Sequence, residues 1–217
     1  MKKILALLLA LVMVFALAAC GESSSDPSSD PGTATSGEPS ASGDNVIKIG
    51  VFEPLTGDSG AGGKQEYLGM QYANYLTPTV EVGGVEYTVE LVPADNASSA
   101  DRAPTAAAQL VSEEVSIVLG TYGSSAAIAA GPTFEQAQIP AIGVTCTNPQ
   151  VTEGNEYYFR ICFLDPFQGT VLANYAIDQL GASKAYLLGE LGNEYDNGLM
   201  NYFEEAFTAL GGTVVKD

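Results

Sequence analysis

The chain has 217 residues, with 26 acidic and 8 basic side chains, no histidine, no tryptophan and three cysteines. A formal charge of −18 excludes general nucleic-acid binding, which needs a basic face, and argues against docking on anionic lipid. Without histidine, neither Ser-His-Asp nor Cys-His catalysis can be assembled, and the commonest zinc ligand is missing.

The first residues read as an export signal. Lys2 and Lys3 form a basic flank, Ile4 to Leu17 is an apolar run of 14 residues, and Leu17-Ala18-Ala19-Cys20 follows. That order predicts a secretory signal peptide over 1–19, and the run is short for a bilayer-spanning helix. The L-A-A-C tail resembles the lipobox of bacterial lipoproteins, which implies acylation of Cys20. The other readings are an ordinary signal with a chance cysteine and an uncleaved anchor. Without Lys2 and Lys3, six basic residues stand against 26 acids, a charge of −20. Residues 20–45 are the expected lipidated cysteine and a flexible linker. From Gly21 to Asn45 the segment is dominated by Ser, Gly, Pro and Asp and has no apolar period, so burial cannot offset its ordering entropy. Its r.m.s. reach would be about 28 Å.

From Val46 the pattern changes. Ile47 to Phe52 predicts a buried strand, and Lys64 to Leu76 predicts a helix from Tyr67, Leu68, Tyr72, Tyr75 and Leu76. Val85 to Val92 alternates as a strand. Ala103 to Glu113 reads as a helix with Pro104 blurring its start. Ile117 to Leu119 is a strand. Ser125 to Ala137 is a helix in which Gly131-Pro132 predicts a kink or a late start. Pro140 to Val144 and Tyr157 to Cys162 are strands. Phe167 to Leu180 is a helix closed by Gly181, Ala185 to Leu188 a strand, and Asp196 to Leu210 a helix closed by Gly211-Gly212. Thr213 to Val215 begins another strand. Alternating strands and helices of this kind predict an α/β fold on a parallel sheet, with ligands outside the carboxyl ends of the strands. The loops to inspect are then Glu53–Gly63, Ala94–Asp101, Gly120–Ser125, Thr145–Thr152 and Gly189–Asn197. The first is Gly-rich but lacks G-x-G-x-x-G and Walker A spacing, so it is either a flexible surface loop or ligand-facing.

Several strings in order carry a resemblance: I-K-I-G-V-F-E-P-L-T-G-D from Ile47, E-L-V-P-A-D from Glu90, I-V-L-G-T-Y-G-S-S-A from Ile117, and I-P-A-I-G-V-T-C-T-N-P from Ile139. Y-F-R at Tyr158, D-P-F-Q-G at Asp165 and E-Y-D-N-G at Glu194 follow. From Ile47 onward the chain resembles the leucine/isoleucine/valine-type solute-binding proteins of ABC transporters, which have the type I periplasmic-binding fold. The resemblance implies a Rossmann-like lobe with a parallel sheet over 46–164, incomplete, and the beginning of a second, similar lobe over 165–217, cut short. It implies an amino-acid ligand between the lobes, branched-chain or otherwise aliphatic, an ABC permease as partner, a monomer, and no cofactor, metal or catalysis. It also implies localisation at the outer face of the cytoplasmic membrane, held by the lipid on Cys20.

Carried over by position, Ser124 resembles the family's first ligand contact, and Thr145 and Thr147 its A-x-T pair, which holds the ammonium and carboxylate. Tyr195 resembles the Tyr of a Y-G-x-G turn that closes over the ligand. This chain has Y-D-N-G there, and Gly62 where the family often has an aromatic pocket wall. Read alone, Ser124 is a helix N-cap or a contact, Thr145 and Thr147 are strand-end residues or contacts, and Tyr195 is surface packing or a contact. Tyr122 is a pocket wall or a core aromatic. Cys146 and Cys162, on consecutive strands of an exported protein, are free thiols or a disulfide. No carboxylate cluster has metal-ligand spacing, so most acids form a solvated face. The rival functions are a sensor lobe for amides or aromatic acids that signals to a partner, and a secreted α/β hydrolase. The second would need G-x-S-x-G and a histidine, and the sequence has neither.

Overall fold

The computed structural model describes residues 45–215. Cys20, the expected signal peptide and the expected linker up to residue 44 lie outside the described residues. Within them the chain alternates strand and helix. Strand β1 (Val46–Glu53) leads to helix α1 (Gly60–Leu76), then to the hairpin of β2 (Thr79–Val82) and β3 (Val85–Asp95). Helix α2 (Ala103–Ser112), β4 (Ile117–Leu119), α3 (Ser124–Ala137), β5 (Ala141–Gly143) and β6 (Tyr158–Arg160) complete the first sheet and its cover. Helix α4 (Asp165–Asp178), β7 (Lys184–Tyr186), α5 (Glu194–Ala209) and β8 (Thr213–Val215) follow.

The first sheet has the order β2-β3-β1-β4-β5-β6, parallel throughout except for the antiparallel edge strand β2. This is the expected α/β architecture. Strand β2 was not expected, because T-V-E-V is short and mostly exposed. It forms because Gly83 and Gly84, both at positive φ (62° and 81°), supply the two-residue turn that suits the right-handed twist of a hairpin. A second sheet contains only β7 and β8, in parallel.

The core lies on the sheet face covered by α2 and α3. Ala103, Ala106, Ala107 and Leu110 of α2 and Ala126, Ala127, Ala130 and Phe134 of α3 are buried there against Phe52 and Val118. Alanines let the helices approach the sheet closely, and the space left is filled by aromatic rings. Phe134 meets Phe52 edge-on at 5.5 Å between centroids, and Tyr158 lies 6.4 Å away on its other side. Helix α3 runs through Pro132 and starts one residue earlier than expected. Pro132 removes one N–H from the ladder, but it is exposed, while Ala130 and Phe134 on either side of it anchor the helix to the core. In α2, Pro104 occupies the first turn, where its missing N–H costs nothing.

Among the described residues, the opposite face is covered by α1 alone. Between α1 and the sheet runs an open groove of about 630 Å³, lined by Ile49, Leu91, Leu119 and Ile142 of the sheet, by Val144 just past β5, and by Glu66 and Met70 of α1. Cys146 is a buried free thiol and Cys162 a half-buried one, so no disulfide joins the strands. Burial pushes the Cys146 thiol up to about 12, which leaves it unreactive at neutral pH.

Candidate functional site

The topology decides where a cleft can form. Strand β1 lies between β3 and β4, so the chain leaves it toward one side for β3 and reaches β4 on the other. The crevice beyond the carboxyl ends of β1 and β4 is therefore the switch point of the sheet, the usual ligand position in open α/β folds. Glu53 ends β1 there, and Gly120 to Ser125 follow β4.

Asp95 at the end of β3 shapes the neighbouring loops. Its carboxylate accepts the N–H groups of Leu55, Thr56 and Ala97 and, at 2.6 Å, the Thr56 hydroxyl. Burial alone would raise its pKa; the Thr56 hydroxyl and the three amides outweigh burial and hold it below the ordinary value. Ser98 returns the tie by accepting from the Ser59 N–H and donating to the Thr56 carbonyl. Beneath, the buried Asn96 amide donates to the Thr121 hydroxyl at 2.8 Å.

The small cleft at the switch point, about 90 Å³, is lined by Ser59, Ser98, Tyr122, Ser124, Ser125 and Asn193, among others. Ser124, the first residue of α3, is buried, and its Oγ accepts the Asn148 N–H at 3.2 Å. Its own hydroxyl proton stays available to a ligand. The N-termini of α3 and α5 converge on this cleft. Helix α5 has Glu194 and Asp196 in its first turn, whereas α3 has no acid in its own first turn, although Asp58 and Glu190 also line the cleft.

The other expected contacts are placed differently. Thr147 is buried, and its hydroxyl donates to Asp165 Oδ1 at 2.6 Å. That commitment leaves Thr147 only acceptor capacity. Asp165 Oδ2 is buried without a donor. Thr145 is exposed on the α1 side and donates to Glu66 at 2.6 Å. Tyr195 lies in the first turn of α5, where its hydroxyl accepts from Gln168 of α4. Tyr122 is 41% exposed, and its ring covers Gly62 so closely that a Cβ there would lie 2.7 Å from the ring. The volume that an aromatic side chain at Gly62 would fill is thus taken by an aromatic ring arriving from β4. The structure brings Tyr122 and Ser124 into one cleft, sets Thr147 behind it, and leaves Thr145 and Tyr195 bonded elsewhere.

Three residues not singled out as site residues hold the frame. Arg160 donates to the carbonyls of Cys146, Asn148 and Pro149 and to the Thr152 hydroxyl, which fixes the loop that carries Thr145 and Thr147. Asn148 caps the short 3-10 turn Pro149–Val151 and donates to the Glu194 carbonyl at 2.7 Å. The Glu194 N–H in turn donates to Ser125 at 2.9 Å, so the start of α5 is gripped by two loops of the first sheet. Asn148 and Arg160 stand in the strings T-N-P and Y-F-R, which carried the resemblance without a stated role.

Against this geometry the comparisons are informative. The periplasmic binding protein family matches residues 46–217. The chain belongs to that family. An amino acid binding protein of Pseudomonas aeruginosa is 33% identical over 168 residues, which are 76% of this chain and 44% of that protein. The crystal structure of a leucine binding protein from Thermotoga maritima matches with a TM-score of 0.75 at 37% identity, covering 79% of this chain and 48% of that one. A solute binding protein of an ABC transporter from Rhodopseudomonas palustris, solved with 3,4-dihydroxybenzoic acid, gives 0.69 at 27% identity, with 79% and 46% covered. This periplasmic binding protein chain spans about half the length of the proteins it matches. All three are binding proteins rather than enzymes, and two ligand chemistries, an amino acid and an aromatic acid, are represented among them.

Proposed function

We propose that this chain is the ligand-binding part of an extracytoplasmic solute-binding protein that delivers a small aliphatic L-amino acid to an ABC permease. The observation that carries this is the opposite commitment of two neighbouring hydroxyls. Ser124 accepts from Asn148 and so can donate, at the N-terminus of α3, to a carboxylate. Thr147, buried behind the cleft, donates to Asp165 and so has only acceptor capacity left, for an ammonium that reaches it once the cleft opens. A donor for one end and an acceptor for the other suit an α-amino acid. The zwitterion has no net charge, so a formal charge of −18 does not repel it at long range. The cleft of about 90 Å³ is small beside ligand pockets of about 300–1,000 Å³, so entry requires the start of α5 to lift from Ser125 and Asn148.

Calorimetry with L-leucine tests the reading. A hydrogen bond to a charged group contributes about 1.5–3 kcal/mol, so Ser124→Ala is expected to weaken binding about 10- to 100-fold. Leucine amide, lacking the carboxylate, should bind far more weakly than leucine to the unaltered chain. Equal affinity for the two would sink the assignment of Ser124. One observation favours an aromatic acid instead: the half-exposed Tyr122 ring offers a stacking wall at the cleft. Titration with 3,4-dihydroxybenzoate in parallel decides between the two, because the acid carries no ammonium for Thr147.

The lipobox-like tail at Cys20 supports a lipid anchor holding the protein at the outer face of the cytoplasmic membrane. Wild-type protein is expected in the detergent phase on Triton X-114 partitioning and Cys20→Ser in the aqueous phase. Unchanged partitioning of the variant would count against acylation.

A further inference from the structure

Glu53 is fully buried at the end of β1, on the α1 side of the sheet. Its Oε2 accepts the Tyr122 N–H at 2.8 Å, and its Oε1 has no donor among the described residues. Glu66 stands on α1 one helical turn beyond Gly62, on the same face. Its Oε1 accepts the Thr145 hydroxyl at 2.6 Å, and its Oε2, a buried atom, has no donor among the described residues. The two carboxyl groups meet within hydrogen-bonding reach. Glu53 is buried and Glu66 half-buried at the rim of the groove, and if both were ionised their two unpartnered oxygens would meet as like charges. One proton removes the conflict, because a protonated carboxyl is a donor and its neighbour an acceptor.

We propose that Glu53 and Glu66 share one proton, and that this carboxyl pair positions the ligand-binding loops. Four segments meet at the pair: the end of β1, α1, the β4–α3 loop through the Tyr122 N–H, and the loop after β5 through Thr145. Tyr122 stands two residues before Ser124, and Thr145 two before Thr147. Separating the carboxyls therefore releases both loops at once. The role in ligand binding rests on the amino-acid reading above; the shared proton does not.

The electrostatics agree with the geometry. Burial first, then the neighbouring Glu66 charge and the shared hydrogen bond push Glu53 up to about 9, against the lowering effect of the Tyr122 N–H. The other titratable groups around the pair come from β6 and from the loops after β5 and β6. Tyr158, whose hydroxyl donates to the Gly120 carbonyl at 3.1 Å, is pushed up by burial, then by Cys146 and Glu53. Cys146 and Cys162 are also raised, mainly by burial. Arg160, the cation on this side, is spent on three carbonyls and the Thr152 hydroxyl and does not bond either carboxylate. The sign follows: Glu53 holds its proton in the folded chain well above the pH at which an unfolded glutamate, near 4.3, loses it. The contribution of the pair is fullest below that value and declines until pH passes about 9.

The test is carboxyl ¹³C NMR of the glutamate-labelled chain across pH 4–10, with L-leucine calorimetry on the same samples. One glutamate carboxyl, absent from the spectrum of Glu53→Gln, is expected to titrate near 9, and leucine affinity should fall at least tenfold across that step. Glu66→Gln keeps an amide N–H for Glu53 and a carbonyl for Thr145. It should therefore bind leucine within about threefold of wild type at pH 7 and move the alkaline step to lower pH, since the Glu66 charge is removed while burial remains, whereas Glu66→Ala should lose at least tenfold at every pH. All glutamates titrating at ordinary values would overturn the shared proton. Loss of leucine binding in folded Glu66→Gln at pH 7 would overturn the positioning role and make Glu66 a direct ammonium contact. A carboxyl titrating near 9 in a chain that binds no leucine at any pH would leave the shared proton standing and refute the amino-acid reading alone.

Discussion

Phe134→Ala is expected to lower stability by about 3–5 kcal/mol. The ring is fully buried and sits between Phe52, which it meets nearly at right angles, and Tyr158. Removing it deletes both edge-on contacts and leaves a void that the alanines around it are too small to fill. Ala127 and Ala130 of the same helix are themselves fully buried, and neither can extend into the space. Domain stabilities of about 5–15 kcal/mol leave little margin for such a loss. Urea denaturation followed by circular dichroism should show the midpoint fall sharply with an unchanged slope. Phe134→Leu, which keeps most of the volume, should cost less than half as much. Equal midpoints for Phe134→Ala and wild type would mean that this face of the sheet is not the one that holds the chain together.

Much of this architecture is readable from the order of residues, and the exceptions have physical causes. Ile47 to Phe52, Ile117 to Leu119 and the alanine-rich helices announce themselves through apolar runs and helical spacing, because burial on two faces leaves no room for polar residues. Strand β2 escapes that test because its side chains are mostly solvent-facing and its pairing is dictated by Gly83-Gly84. Ser124 is readable as a helix start beside the cleft. The state of its hydroxyl is not, since that depends on Asn148, 24 positions away. The same holds for Thr147 and Asp165, and most sharply for Glu53 and Glu66. By composition they belong to an acidic, solvated surface, yet the crossing of α1 over the end of β1 brings the half-buried Glu66 against the buried Glu53. One signal was available: a carboxylate ends the run I-K-I-G-V-F-E where the first parallel strand must stop, and strand ends are where such folds place function.

Residues 46–217 expressed alone are expected to self-associate, with most material eluting ahead of the monomer position on size exclusion with light scattering. The reason is apolar surface that nothing in the described residues covers. Helix α1 is helical as its spacing indicates, but Leu68, Tyr72, Tyr75 and Leu76 of its apolar set face solvent. Past the edge strand β6, Ile161 is 77% exposed and Phe163 and Phe167 are largely so, while Leu188 and Leu191 after β7 reach 87% and 101%. Burying one such side chain contributes about 1.5–3 kcal/mol, so a few of them meeting their copies suffice for association at micromolar concentration. The second sheet points the same way. Strands β7 and β8 form a two-stranded sheet, marginal by itself. Because Leu188 and Leu191 make up the most exposed part of this surface, Leu188→Lys with Leu191→Lys should shift material toward monomer without lowering the urea midpoint. A monomeric parent chain that melts cooperatively would show that the exposed side chains find partners within their own chain, and that this apolar surface does not drive association.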